Sequence, residues 1–556
     1  MKRLALLLLM LSFTMLICAV PARRGFFRKH LPDGTVQKVR LVGDEFCHAF
    51  LTEQGDLVTE EEDGSFSPTS PDEFKAQHSA RKIKASMEAY RMRNFPTEGE
   101  AHGIVILVSF SDVPFSIPDD SIRNLLSSRY NTEHYQEEVS FAEYSKAYDD
   151  TLRLSCTIPG SARDYFRDQS FGKFRPTFDV VGPVQLDSTL AFYGGNGRKG
   201  KGGDVNVRQM VKEACEKVHG QQLADFSRYD SNGDGLVDFI HIVYAGFDEA
   251  QYGGANCIWA KSWTLETPLE IDGKELSRFS CSAELLVDIN IVAGIGTLVH
   301  EMSHTLGLPD FYNVDDGNDF TMSWWSVMDY GMYSAEGFAP QGYTSFERYS
   351  LGWIPMHTLT MPDSVVLNTT DLEPAGWRAF VSDKDTTSFF IFENIQRNSA
   401  RNDSVWGNWF RYSPTYGLMI SCVNYSESAW VANRVNSTPN RHRYYIVPAN
   451  NEYAFDTEHK QLFGRENYAF GPATTPASTT SFGITMNKPL TGIVCEKDGA
   501  CRFNFDGYID SSVRRGLPIT EQEEAQTLYL INDAIRIVRR GEKVFKQLDR
   551  KRAGSF

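Results

Sequence analysis

The chain has 556 residues, of which 13% are aromatic and 43 are glycines, and its formal net charge is −16. Such a length exceeds a single hydrophobic core and implies several domains. The acidic balance argues against a general nucleic-acid role, and the aromatic and glycine content suits a β-rich, loop-rich extracellular protein better than a helical bundle.

Lys2 and Arg3 precede an apolar run from Leu4 to Val20 and then Pro21-Ala22. This is the pattern of a secretory signal peptide, residues 1–22, with cleavage after Ala19 or Ala22. The run is short for a membrane span, and no later stretch suits one, so no transmembrane anchor is expected. Residues 23–98 form a first unit, with a turn signal at Leu31-Pro32-Asp33-Gly34-Thr35 and a basic, helical-looking stretch from Arg81 to Arg93. It reads as a propeptide or as a small N-terminal domain.

A second unit spans residues 99–355. Ile104 to Phe110 is a β-branched apolar run that predicts a central strand. A helix is expected from Gly160 to Phe166, a strand over Phe178–Val184 and a helix over Val205–Val218. Asp230, Asn232, Asp234 and Asp238 then stand at positions 1, 3, 5 and 9 of a loop, with Gly235 at position 6 and the Leu236 carbonyl at position 7. That spacing predicts a structural Ca2+ loop. An Asx-rich turn before a strand over Leu236–Tyr244 is the alternative. His241 inside that apolar strand reads as a satisfied core histidine. Ile258 to Trp263 is either the edge strand on which an extended peptide pairs or an ordinary aromatic strand.

His300-Glu301-Met302-Ser303-His304 places two imidazoles on one helical face, one turn apart, where both reach a single Zn2+ ion. Glu301 has the position of a general base. Gly307 ends the helix and turns the chain back, so that Asp310 supplies the third ligand and a fourth position stays open, as a catalytic zinc site requires. Asp315, Asp316 and Asp319 form either a second cation site or a solvated acidic loop.

Ser326-Val327-Met328-Asp329-Tyr330-Gly331 follows. After a zinc-binding helix, Met328 resembles the Met-turn of the metzincins. With His300 to Asp310, it resembles the immune inhibitor A family of secreted bacterial peptidases, metzincin-related with aspartate as third ligand. Ser161-Ala162-Arg163-Asp164-Tyr165-Phe166 is also similar to that family. The resemblance implies an α+β fold: a metzincin-like zinc peptidase domain behind an N-terminal propeptide, secreted or at a bacterial cell surface, acting as a monomer on protein or peptide substrates. It places Tyr330 where some metzincins stabilise the oxyanion or bind zinc. A catalytically silent adhesin or glycan binder on the same scaffold is the rival reading, but its hallmark, a lost ligand or lost Glu301, is not seen.

Residues 356–510 become strand-rich, with Trp406, Trp409, Trp430, Asn433 and Asn436 recurring, and predict a β-sandwich-like accessory domain. Those aromatics could bind glycans, though packing and turns are the more economical reading. Residues 511–556 hold short alternating runs and many basic residues, either a targeting tail or a small β module. Among the cysteines, Cys495 and Cys501 flank a hairpin-like loop and could pair, as could Cys257 and Cys281.

Overall fold

The computed structural model describes residues 18–44, 47–61, 63–70, 96–196, 203–251, 254–315, 319–397 and 408–507, and the strands Gln526–Asn532, Ile535–Arg540 and Lys543–Leu548. The leader to residue 17, the basic stretch Arg81–Arg93, Asp316 and Trp406 lie outside the described residues.

Strand Gly99–Ser109 forms the spine of an α+β unit. It pairs in parallel with Phe174–Gln185 on one side and with Ile240–Phe247 on the other. Ile240–Phe247 pairs in parallel with Lys274–Leu285, against which Lys261–Ile271 runs antiparallel. Ile104 to Val108 are all 0% exposed. Val105 and Leu107 enter the core that holds Leu298, Val299 and Met302, whereas Ile104, Ile106 and Val108 pack with Val207, Met210 and Val211. The period of two thus feeds two cores, and a sheet covered on both faces explains the unbroken apolar run. Helix Val207–Gly220 buries Val207, Met210, Val211, Ala214, Cys215 and Val218, one stripe at helical spacing. Helix Ala162–Gln169 starts on a capping box between Ser161 and Asp164.

The strand expected from Leu236 starts instead at Ile240. The intervening backbone is engaged elsewhere: the Val237 N–H donates to the Glu275 carbonyl, and the Asp238 N–H to the Tyr229 carbonyl. His241 is fully buried between the Ser280 and Ser282 hydroxyls, each 2.8 Å from a ring nitrogen. Burial lowers its pKa to about 3, so it is a neutral core residue.

Upstream, Phe27–His30, Val36–Asp44, Cys47–Thr52, Leu57–Glu60 and Phe66–Pro68 form an antiparallel meander. Its first turn falls at the expected site, with Gly34 at φ 84° and the Asp33 carboxylate accepting from the Thr35 N–H. Phe27, Val39, Leu41, Phe50 and Val58 join the core of the 99–355 unit, so the meander is docked on it.

Downstream, a five-stranded sheet (Met356–Thr358, Gly376–Ser382, Asp385–Ile395, Gly417–Asn424, Tyr444–Ile446) packs on a three-stranded one (Asp363–Leu367, Leu490–Cys495, Cys501–Phe505) around a shared apolar core. Cys495 and Cys501 are disulfide-bonded across neighbouring strands. Cys257 and Cys281 are both free and buried, which corrects the alternative pairing. The last three strands form an antiparallel meander of their own.

Arg348 joins the two larger units. It is 1% exposed, and its guanidinium donates to Gln169 Oε1 of the capped helix and to the Thr370 carbonyl, both at 2.6 Å, with Asp371 at 3.8 Å. Removing one side of such a buried arrangement strands the other. Arg348→Met is expected to lower unfolding free energy by about 3–5 kcal/mol, measured by denaturant titration followed by tryptophan fluorescence.

Candidate active site

Helix Gly296–Thr305 carries His300, Glu301 and His304, all buried. Its first residue must be small, because a Cβ on Gly296 would lie 2.2 Å from the Met332 carbonyl. The helix ends as the sequence suggests: Gly307 adopts φ 105°, its N–H donates to the His304 carbonyl, and the Leu308 N–H donates to the Ser303 carbonyl. This Schellman-type reversal returns the chain to the histidines.

The two Nε2 atoms are 3.1 Å apart, and Asp310 Oδ1 lies 3.3 Å from each. Among the described residues, this is the group of three such side chains gathered closely enough to hold a metal ion. The other ring nitrogens fix the tautomers. His300 Nδ1 lies 2.8 Å from the Val327 carbonyl and His304 Nδ1 2.8 Å from the Leu308 carbonyl. A carbonyl only accepts, so each Nδ1 carries the proton and each Nε2 lone pair faces the shared centre. Burial pushes the His304 imidazole below its ordinary pKa. Burial would raise the Asp310 carboxyl, but the adjacent histidines hold it below the usual range. Two lone pairs and a carboxylate oxygen converging in a dry site suit a borderline cation with nitrogen and oxygen ligands, such as zinc.

Asp310 is held at two points by a residue 123 positions away. Asn433 Oδ1 accepts from the Asp310 N–H and Asn433 Nδ2 donates to Asp310 Oδ2, both at 2.7 Å, which leaves Oδ1 for the histidines. Asn436 Nδ2 donates at 2.6 Å to the carbonyl of Phe311. The sequence reading placed both asparagines among packing and turn residues, and their only signal was recurrence.

Met328 is fully buried, and its carbonyl accepts from the Phe311 N–H at 2.8 Å, so the segment beneath the helix is tied to the ligand loop. A Cβ on Gly331 would meet the Ser326 carbonyl at 2.4 Å, which accounts for the glycine. Tyr330 is 2% exposed, with its phenol raised by burial. Glu301 is 0% exposed.

The chain's own residues 18–24 lie along this site. Cys18 and Ala19 pair antiparallel with Ser262 and Lys261, and the Val20 N–H donates to the Ala260 carbonyl. The carbonyls of Val20 and Pro21 accept from Trp259 Nε1 and the Tyr333 hydroxyl, each at 2.9 Å, and that of Ala22 accepts from the Tyr330 hydroxyl at 3.4 Å. The Arg23 N–H donates to the Ala250 carbonyl, and the Arg23 side chain pairs with Glu336. The strand expected at Ile258–Trp263 is therefore an edge with a peptide added to it, its ordered segment running Lys261–Ile271. Lys261 anchors this edge through an ion pair with Asp204, both buried.

In the Asp230–Asp238 loop, Asp230 accepts from the N–H groups of Asp234 and Gly235 and from Lys274 Nζ at 2.6 Å, and Asp238 accepts from the Ser231 N–H. Its carboxylates do not gather into a group comparable to the one at Asp310. Arg434 pairs with Asp315, while Asn313 Nδ2 donates to Asp319, so these two carboxylates have partners within the chain.

Asn433→Ala keeps His300, His304 and Asp310 but frees Asp310 Oδ2. The expected result is a loss of metal affinity of about 10–100-fold, read by competition with a chromogenic chelator.

Residues 95–354 match the family model for the immune inhibitor A peptidase M6 catalytic domain. The chain is similar to a pre-pro-metalloprotease, PrtV, of Vibrio cholerae serotype O1, at 27% identity over 278 residues, covering 45% of this chain and 29% of that protein. It is also similar to immune inhibitor A of Bacillus thuringiensis subsp. alesti, at 26% identity over 275 residues, covering 44% of this chain and 39% of the relative. The match thus spans less than half the length of either relative. Residues 95–354 thus match a metallopeptidase catalytic domain of the immune inhibitor A type.

Proposed function

We propose that the protein is an exported zinc-dependent endopeptidase that cleaves extracellular proteins. The observation that carries this reading is the convergence of His300 Nε2, His304 Nε2 and Asp310 Oδ1 beside Glu301, next to an edge strand that already holds a peptide. Zinc, when bound, supplies a Lewis acid that polarises the scissile carbonyl and lets water act as a nucleophile near neutral pH.

The chain's residues do the remaining work. The edge at Ala260–Ser262 orients the peptide backbone by strand addition. Trp259 and Tyr333 hold successive carbonyls. Glu301 takes the proton from water and delivers it to the leaving amine. The Tyr330 hydroxyl, which here reaches the Ala22 carbonyl, stabilises the oxyanion. Met328 floors the site in the manner of the metzincins. The leader serves as an export signal, with cleavage after Ala19, and the following residues up to 98 as a propeptide. Latency follows from occupation of the cleft by residues 20–24, which stay with the propeptide. No helix among the described residues is long and apolar enough to cross a membrane.

Casein hydrolysis by the processed protein tests this reading. It should vanish with a zinc chelator and return with added zinc, and Glu301→Gln should lower kcat by about 10²–10⁴-fold with the metal still bound. Activity that persists in Glu301→Gln would remove Glu301 as the base. Absence of activity in zinc-loaded, processed wild type would favour the adhesin reading.

The Asp230–Asp238 loop is proposed to take structural Ca2+ through Asp230, Asn232, Asp234, Asp238 and the Leu236 carbonyl, once Lys274 leaves Asp230. Millimolar calcium should then raise Tm in the wild type but not in Asp234→Ala. An unchanged wild-type Tm would leave the loop as an Asx-rich turn closed by Lys274.

A further inference from the structure

The peptide in the cleft makes two kinds of contact. Those through the carbonyls of Val20, Pro21 and Ala22 are to main chain and would serve any sequence. Arg23 and Arg24 add side-chain contacts: Arg23 pairs with Glu336, whereas the Arg24 side chain enters a formed slot. The Tyr330 and Phe455 rings stand 6.1 Å apart, and the Arg24 guanidinium lies between them, 3.7 Å from the Tyr330 centroid and over the Phe455 face. Planar guanidinium groups stack on aromatic faces in a way that a lysine ammonium does not match.

Two buried carboxylates lie within electrostatic reach of the Arg24 guanidinium. Asp329 is 0% exposed and accepts from the Thr321 hydroxyl and the Ser323 N–H, both at 2.7 Å. Glu458 is 7% exposed, and its Oε1 has no hydrogen-bond partner among the described residues. Burial raises the carboxyl of Asp329 to about 6 and that of Glu458 to about 7, and the Arg24 charge opposes both shifts. An aromatic-walled slot beside an under-satisfied buried carboxylate is costly when empty and favours a cation. Tyr330 also contacts the backbone two residues earlier, at Ala22, so the slot lies beside the peptide path and next to Met328.

We propose that the Tyr330–Phe455 slot, with Asp329 and Glu458 near it, is a specificity subsite for an arginine side chain of the peptide substrate, and that Arg24 occupies it as a substrate residue would. The proposal rests on the peptidase reading and names the substrate class that reading leaves open: peptides bearing arginine at one fixed position from the cut, favoured over lysine.

Two measurements test it. The processed, zinc-loaded wild type is given a diverse peptide library and its cleavage positions are read by mass spectrometry. Arginine is expected to be enriched at a single subsite by about tenfold over apolar residues, and Glu458→Gln and Phe455→Leu should each lower the arginine-to-leucine ratio of kcat/KM. Independently of activity, hydrogen exchange is followed at residues 20–24 in the full chain carrying Glu301→Ala. Adding Arg24→Ala, which leaves the slot's own residues in place, should speed exchange of the Val20 and Arg23 amides by about tenfold, since the segment's anchor is gone.

Cleavage without arginine enrichment would overturn the subsite. Exchange unchanged by Arg24→Ala would show that the slot does not hold the guanidinium, which also overturns it. No cleavage of any peptide, with exchange still raised by Arg24→Ala, would remove the peptidase reading and the substrate claim with it, leaving a guanidinium-binding slot.

Discussion

Three atoms with lone pairs, two imidazole nitrogens 3.1 Å apart and a carboxylate oxygen 3.3 Å from both, are forced together in a site that excludes water. Left to themselves such groups repel. Their convergence depends on what holds the far side of each. Two backbone carbonyls take the imidazole protons, and one carboxamide takes the other carboxylate oxygen together with the backbone N–H. Much of the surrounding structure follows from providing those partners. The Schellman reversal at Gly307 brings the Leu308 carbonyl under His304, and the turn before Met328 brings the Val327 carbonyl to His300.

The carboxamide partner comes from the strand-rich region beyond residue 355, which makes that region part of the site. Asn433 sits at φ 51°, a left-handed conformation that asparagine tolerates better than most residues. Asn436 clasps the next residue of the ligand loop. Trp409 packs on Tyr165 at 4.8 Å and donates to Asp168, and Gln461 accepts from Trp325. These contacts cross the junction near residue 355. That junction is a change of architecture along the chain, but it divides neither the core nor the metal centre.

What was legible in the sequence was local. The spacing of His300 and His304, the glycine that ends their helix and the return to Asp310 are all set within eleven residues, where helix geometry and backbone sterics dictate positions. The apolar run at Ile104–Val108 was legible for the same reason, since its period and length specify a doubly covered strand. Asn433 was not legible, because no local rule links it to Asp310 across 123 residues. The late start at Ile240 was hidden because tertiary hydrogen bonds at Val237 and Asp238 outcompete an apolar β-propensity. The choice among cysteines followed from register. Cys495 and Cys501 face each other on neighbouring strands, whereas Cys257 and Cys281 are each buried as free thiols in the sheet core.

The path of residues 18–24 was the least legible part, because main-chain recognition leaves little trace in side chains. Val20, Pro21 and Ala22 would look the same in a leader or in a linker. Their tie to the cleft is made by carbonyls and by an edge strand whose own sequence, Lys261-Ser262-Trp263, admits other readings. Covalent attachment gives this weakly coded segment its hold. A tethered peptide meets its groove at an effective concentration of about millimolar, so modest contacts suffice to keep it in place. The meander from Phe27 onward shares the core beneath, and His48 reaches Glu249 at 3.2 Å while stacking on Trp259, the residue that holds the Val20 carbonyl. The docked meander and the occupied cleft are thus coupled through one tryptophan.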